Sequence, residues 1–150
     1  WFFAEKAQKA KFVCMNYSEL MQQVNSPAVV YCDPPYVPLS RTASFTSYAK
    51  NSFDLDDQAE LANLAERCQS RGVSVVISNH DTRLTRKLYE KAKLTSIQVG
   101  RSISQKGETR GKVAELFALY STTAQSGTTQ LTSSNNTATN TITAKIPATK

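Results

Sequence analysis

The chain has 150 residues, of which 40% are hydrophobic and 20% are charged, and its formal net charge is +6. This composition favours one soluble domain, and the lack of a long apolar segment argues against a membrane-spanning protein. The three cysteines are widely spaced along the chain. Their spacing argues against a disulfide framework and against a metal-binding cluster, and indicates reduced thiols in a cytoplasmic protein.

The amino-terminal part of the chain predicts a helix, a strand and a second helix. Residues 1–11 are rich in Ala, Lys and Gln, which is typical of the last turns of a helix. The apolar residues 12–15 predict a short strand. Ser18 is predicted to cap the next helix, which covers about residues 19–24.

A buried strand that ends in an acidic, proline-rich loop is the most informative feature of the sequence. The apolar run at residues 28–32 predicts the strand, and Asp33, Pro34, Pro35 and Tyr36 follow it directly. Proline lacks a backbone N–H, so the two prolines stop the sheet ladder. Ligands bind at the carboxyl ends of strands in open α/β sheets, and we therefore expect a site at this DPPY loop, residues 33–36.

The residue types in the DPPY loop indicate a particular chemistry. The Asp33 carboxylate and the Pro34 carbonyl can both accept hydrogen bonds from one amine. Tyr36 offers a flat ring, and stacking of a base on an aromatic ring is typically worth about 1–3 kcal/mol. The loop therefore favours chemistry on the amino group of a nucleobase that has been taken out of the helix.

Alternating helices and strands continue to residue 120. Asp54 is predicted to cap a helix that ends at Gly72. The apolar residues of this helix recur at helical spacing. This order predicts βαβ units and a largely parallel sheet. The further predictions are a long loop at 37–53, a buried strand at 73–78, a helix from Asp81 or Thr82, an edge strand at 94–99, a basic loop at 100–112 and a last strand at 113–120.

The composition changes at residue 121. Residues 121–150 are dominated by Thr, Ser and Asn and contain no aromatic residue. Such a segment cannot bury enough apolar surface to offset the entropy lost on ordering. We predict one folded domain over residues 1–120 and a disordered tail over residues 121–150.

The sequence also resembles a known family. The stretches VVYCDPPYVPLSRTASFTSYAKN at 29–51, ISNHDTRLTR at 77–86 and GRSIS at 100–104 are similar to those of the Dam-type DNA adenine methylases. The resemblance extends over about residues 2–120. It implies a Rossmann-like methyltransferase sheet and transfer of a methyl group from S-adenosylmethionine to N6 of a flipped-out adenine in duplex DNA, with GATC as the default recognition sequence.

The resemblance also assigns roles to residues of this sequence. It implies a site without a metal, in a cytoplasmic enzyme whose partner is double-stranded DNA. The implied catalytic residues are Asp33, Pro34, Pro35 and Tyr36. Cofactor binding is implied for Asp33, Tyr17 and Asn16. The loop cations expected to contact DNA are Arg41, Lys50 and Arg101.

Three motifs that the family needs do not occur in this sequence. The first is a cofactor-binding loop of the type Phe-x-Gly-x-Gly, the second is an early Lys-containing cofactor motif, and the third is a target-recognition segment. The chain also begins at Trp1 rather than at Met. We therefore expect the carboxyl-terminal half of such an enzyme, whose partner is the amino-terminal remainder, and we expect the isolated chain not to methylate DNA.

Four other interpretations remain open from the sequence. An Asp-Pro-Pro segment can be an ordinary turn at the end of a strand. The chain can be a non-catalytic remnant that binds DNA through its positive charge. It can belong to an amino-methyltransferase that acts on RNA or on another planar amine. It can also be a plain α/β fragment with no independent function.

Overall fold

A computed structural model describes residues 2–39, 53–100, 112–122 and 140–145. Within these ranges the chain forms helices and strands that lead up to and follow the DPPY loop. In chain order they are α1 (Phe2–Ala7), α2 (Tyr17–Gln23), β1 (Ala28–Asp33), α3 (Leu55–Ser70), β2 (Ser74–His80), α4 (Arg83–Leu88), β3 (Lys93–Gly100), β4 (Lys112–Tyr120) and β5 (Asn140–Lys145).

The strands of the described residues form one mixed sheet in the order β3-β4-β2-β1-β5. β1 is parallel to β2 and to β5, whereas β4 is antiparallel to β2 and to β3. The prediction of an α/β fold is confirmed, and β1, α3 and β2 form the expected parallel βαβ unit. The sheet has fewer parallel pairs than predicted. β3 and β4 follow each other without a crossover helix, and two strands joined in this way pair antiparallel.

The core lies where α2 and α3 meet one face of the sheet. Along β1, burial alternates, and Ala28, Val30 and Cys32 face the core while the residues between them are half-buried. The apolar side chains that complete this core come from the helices and the neighbouring strands. They include Met21, Val24, Leu61, Leu64, Ala65, Cys68, Val75, Ile77, Tyr89, Leu116 and Ala118.

Helix α3 begins and ends as its sequence predicts. The Asp54 carboxylate accepts hydrogen bonds from the backbone N–H groups of Asp56 and Asp57, and the Asp57 carboxylate accepts one from the Asp54 N–H. This reciprocal arrangement satisfies donors that a helix start otherwise leaves unpaired. After the helix, Gly72 takes a φ of 78°, a conformation that glycine adopts without steric cost.

Two predictions about the amino-terminal part were wrong. Residues 12–15 are not in a strand, and Phe12 is 83% exposed. Their β propensity is not enough by itself, because a strand is stable only when it is paired and packed. The cap of α2 is Asn16 rather than Ser18, and its Oδ1 accepts a hydrogen bond from the Ser18 N–H at 2.8 Å.

The carboxyl-terminal segment differs from the prediction at six residues. Asn140–Lys145 form β5 and pair in parallel register with β1, from Ala28 opposite Asn140 to Asp33 opposite Lys145. The free edge of β1 offers backbone donors and acceptors to any extended segment, and the Thr and Ile of β5 favour strands. The other residues of the predicted tail from 123 onward lie outside the described ranges.

The three cysteines are free thiols. Cys14 is exposed, whereas Cys32 and Cys68 are buried. Burial raises the pKa of Cys32 to about 12. Among the described residues, no three His, Cys, Asp or Glu side chains converge as a metal site would require. The helices within the same ranges are too short or too polar to cross a membrane.

Candidate active site

Asp33 is the last residue of β1 and lies at the carboxyl end of the parallel pair formed by β1 and β2. Because side chains alternate along a strand, Asp33 lies on the face opposite to Cys32 and therefore opposite to the core. Its side chain is half-buried. The carboxylate is therefore held at the surface of the sheet and is not enclosed in packed apolar side chains.

The hydroxyl of Ser78 orients the Asp33 carboxylate. Ser78 lies on the neighbouring strand β2 and is fully buried. Its Oγ donates to Asp33 Oδ1 at 3.2 Å, shares this proton with the Cys32 carbonyl at 3.3 Å, and accepts from the Tyr31 hydroxyl at 3.1 Å. Within the described residues the second oxygen, Oδ2, makes no hydrogen bond. One oxygen is thus anchored, and the other is available to a substrate.

Tyr36 lies beside the imidazole of His80. The two ring centroids are 5.0 Å apart at an interplanar angle of 83°, which is an edge-to-face contact. Burial raises the pKa of the Tyr36 phenol. The phenol therefore stays neutral at physiological pH, and its ring is a flat, uncharged surface next to the Asp33 carboxylate.

Side chains from α3 and β2 hold the backbone of the loop. Gln58 Nε2 donates to the Pro35 carbonyl at 2.8 Å, and Asn79 Oδ1 accepts from the Val37 N–H at 2.8 Å. His80 Nδ1 lies 2.7 Å from the Val37 carbonyl oxygen, and because a carbonyl only accepts, this nitrogen carries the proton. Both sides of Tyr36 are therefore fixed by hydrogen bonds to buried side chains.

The predicted cofactor residues Tyr17 and Asn16 lie at the start of α2. The Tyr17 hydroxyl donates to Glu60 Oε2 at 3.1 Å, and its ring makes an edge contact with Phe53 at 5.6 Å between centroids. These contacts join α2 to the amino-terminal part of α3. Oδ1 of Asn16 is used in the helix cap. The structure thus gives both residues structural contacts, and their role towards a cofactor stays a prediction.

The cations predicted to contact DNA, Arg41, Lys50 and Arg101, lie outside the described residues. Their role stays a prediction.

Three of the residues that hold the site carry no functional signal of their own in the sequence. Ser78 and Asn79 fall at and just after the end of the predicted strand 73–78, and the alternation of β2 places them on opposite faces of the sheet. Gln58 gave no signal, because a glutamine on an amphipathic helix is usually solvated. In the structure Gln58 is only 2% exposed.

Known proteins resemble this chain over most of its length. A family model described as D12 class N6 adenine-specific DNA methyltransferase matches residues 2–103. The DNA adenine methylase of Vibrio cholerae is 57% identical over 120 residues, which are 79% of this chain and 43% of that protein. The DNA adenine methylase of Escherichia coli K12 is 56% identical over 120 residues, covering 80% and 43%.

A third relative gives the same result. The DNA adenine methylase of Serratia marcescens is 52% identical over 122 residues, covering 80% of this chain and 45% of that protein. The chain thus spans less than half the length of these relatives. The family model covers most of the chain, and the identities are high. The chain belongs to the D12 class N6 adenine-specific DNA methyltransferase family.

Proposed function

We propose that this chain carries the catalytic loop of an enzyme that transfers a methyl group from S-adenosylmethionine to N6 of an extrahelical adenine in duplex DNA. The family gives the reaction class, and GATC is the recognition sequence that we propose by analogy with the Dam-type enzymes. The observation that supports the proposal best is the position of Asp33. It is a half-buried carboxylate at the carboxyl end of a central parallel strand, with one oxygen anchored by Ser78.

The loop residues act on the amine of the target base. Oδ2 of Asp33 and the Pro34 carbonyl accept the two N–H groups of adenine N6, which directs the nitrogen lone pair away from both acceptors. Tyr36 stacks on the base and holds it out of the helix. Acceptors fixed in advance also favour the positive charge that develops on nitrogen. Alignment of the reacting atoms contributes about 7–11 kcal/mol in well-oriented reactions, so positioning alone can supply much of the rate.

The side chains of the predicted cofactor residues have chemistry that suits an adenosyl cofactor. Tyr17 offers a half-buried aromatic ring paired with Phe53, and Asp33 offers a half-buried carboxylate that complements a sulfonium charge. When bound, S-adenosylmethionine supplies an electrophilic methyl group. We propose that Tyr17, Asn16 and Asp33 contact it. For Asn16 we propose contact through the side-chain amide nitrogen, because the side-chain oxygen already accepts a hydrogen bond in the helix cap.

Contact with the DNA backbone is proposed for Arg41, Lys50 and Arg101. Lysine and arginine that contact phosphates give affinity without sequence information. The formal net charge of +6 supports a polyanionic partner. We propose that the enzyme acts in the cytoplasm.

A chimaera tests the proposal, because the chain spans less than half of its relatives. In this chimaera the aligned segment of the Escherichia coli methylase is replaced by the matching residues of this chain, which are 56% identical over 120 residues. Methyl transfer from labelled S-adenosylmethionine to a GATC duplex is measured with and without Asp33→Ala. We expect the substitution to abolish transfer and to leave DNA affinity nearly unchanged, because Asp33 contacts the reacting amine and not the phosphates.

Other outcomes distinguish the remaining interpretations. Equal losses of transfer and affinity would show that Asp33 is structural. Methylation of RNA in preference to duplex DNA would change the substrate class. Salt-sensitive DNA binding without transfer, and without dependence on Tyr36, would identify a binding remnant.

A further inference from the structure

Three buried polar side chains lie directly behind the DPPY loop. Gln58 on α3 is 2% exposed, whereas Asn79 at the end of β2 and Tyr89 after α4 are both 0% exposed. Buried polar groups are costly unless their hydrogen bonds are made. Three of them in contact with one another therefore need an explanation beyond packing.

The hydrogen bonds among these side chains form a closed set. Gln58 Oε1 accepts from the Tyr89 hydroxyl at 2.7 Å and from Asn79 Nδ2 at 3.2 Å. Asn79 Nδ2 also lies 3.1 Å from the Tyr89 hydroxyl oxygen. Asn79 Oδ1 accepts from two backbone N–H groups, those of Val37 and His80, at 2.8 and 2.9 Å.

This arrangement fixes the orientation of both amides. Since Asn79 Oδ1 faces two N–H donors, its Nδ2 must face Gln58 Oε1. Since Gln58 Oε1 accepts from two donors, its Nε2 must face the Pro35 carbonyl, to which it donates at 2.8 Å. Rotating either amide would break several bonds at once. The cluster is thus a rigid support with two contacts on the loop, one before Tyr36 and one after it.

We propose that Gln58 and Asn79 are positioning residues for methyl transfer, which rests on the function proposed above. They fix the Pro35 carbonyl and the Val37 N–H, so that the backbone of Tyr36 is held on both sides and its ring meets the target base at a set angle. Ser78 orients Asp33 from one face of the sheet, and the Gln58–Asn79–Tyr89 cluster holds the loop from the other face.

The first test is Gln58→Met in the chimaera. Methionine keeps the length of the side chain but removes the donor to Pro35 and the acceptor for Tyr89. A displacement of about 1 Å at a reacting group can cost about 100-fold in rate, so we expect kcat to fall between tenfold and 100-fold. The Kd for a GATC duplex should change less than about twofold, because phosphate contacts dominate affinity.

A matched control lies at the other end of the same helix. Gln69 Nε2 donates to the Ser121 carbonyl at 2.7 Å, so Gln69→Met also removes a hydrogen bond from a helix glutamine to a backbone carbonyl. This bond is far along α3 from the loop. We expect Gln69→Met to lower thermal stability without a change in kcat. Equal losses of kcat in the two variants would refute a positioning role.

A second variant keeps the proposal testable if Gln58→Met does not fold. Gln58→Glu retains an acceptor for Tyr89 and Asn79, but its ionised form places an oxygen against the Pro35 carbonyl. Burial raises the pKa of a carboxyl group, and the protonated form can donate to Pro35 as glutamine does. We therefore expect kcat of Gln58→Glu, relative to the parent chimaera, to recover at least threefold as pH falls from 8 to about 6.

The outcomes separate this inference from the proposed function. A parent chimaera that does not methylate DNA refutes the proposed function and with it the positioning role. A parent chimaera that methylates DNA, with Gln58→Met and Gln58→Glu as active as Gln69→Met at every pH, refutes the positioning role alone. In both cases circular dichroism confirms that each variant is folded.

Discussion

The carboxylate of Asp33 depends on one neighbouring hydroxyl for its orientation. Ser78 is buried, and its Oγ contacts both Asp33 Oδ1 and the Tyr31 hydroxyl. Removing this group leaves Asp33 free to rotate about its last bond and leaves Tyr31 without its acceptor. Ser78 is therefore expected to affect catalysis through Asp33 rather than through contact with the substrate.

Ser78→Ala should lower kcat of the chimaera about tenfold. The loss corresponds to one hydrogen bond to a charged group, about 1.5 kcal/mol, since the distance of 3.2 Å is long for such a bond. Ser74→Ala is the control, because Ser74 lies on the same face of β2 near its other end. An unchanged kcat in Ser78→Ala would mean that Asp33 needs no such support.

Tyr36→Phe and Tyr36→Ala separate the ring from the hydroxyl. If the ring stacks on the base, Phe keeps most activity, and Ala loses about 1–3 kcal/mol of base binding, or roughly fivefold to 150-fold in kcat/KM. The fluorescence of 2-aminopurine at the target position reports the flipped base in parallel. Equal activity of the Phe and Ala variants would exclude stacking on Tyr36.

At the scale of elements, an ion pair joins the end of β2 to α4 and β3. Asp81 accepts from Arg86 Nε at 2.6 Å and from Arg86 Nη2 at 2.7 Å, and it also accepts from the Ser96 hydroxyl. The hydrogen bonds from Arg86 lower the pKa of the Asp81 carboxyl below its ordinary value. The pair is close to the site because Asp81 directly follows His80.

The stability contributed by Asp81 should depend on pH in a defined direction. Because its pKa is lowered in the folded state, its contribution is fully present above the ordinary Asp pKa of about 4 and is lost as pH falls through the lower folded value. Asp81→Asn should therefore lower Tm at pH 7 by less than about 4 °C, a small effect because the Arg86 side chain of the pair is 51% exposed.

The difference in Tm between the two proteins should then disappear at acid pH. Thermal unfolding of both proteins between pH 7 and pH 2.5 checks this, with Glu90→Gln at an exposed position as the control. A difference that persists at the lowest pH would show that shape rather than charge stabilises this junction.

Local signals predicted four of the five strands that the described residues form, but neither β5 nor the polar cluster behind the loop. The apolar run of β1 and the Asp54 cap of α3 each carry their cause within a few residues, and both predictions are confirmed. For α2, Asn16 and Ser18 are equally good capping residues, so local sequence alone does not choose between them. The burial of Gln58 arises from contacts with residues 21 and 31 positions away in the chain, which no local pattern contains.

At the scale of the whole molecule, the positive charge predicts salt-dependent binding of DNA. For the three proposed phosphate contacts, affinity for duplex DNA should fall about sixfold between 0.1 and 0.2 M salt. Fluorescence anisotropy of the 150-residue chain with a labelled duplex measures this slope. Affinity that does not vary with salt would show that the charge of this chain plays no part in binding.

The cysteines differ in burial, so one of them can be labelled selectively with a dye. Reactive thiolate forms readily only where solvent reaches the sulfur, so a maleimide dye should attach at Cys14 in the native chain. Cys32 and Cys68 lie in the core, where burial raises the pKa of both thiols. The rate at which a second and a third dye attach therefore measures how often the core opens transiently. The dye that attaches quickly at Cys14 monitors changes in the environment near Tyr17 and needs no substitution.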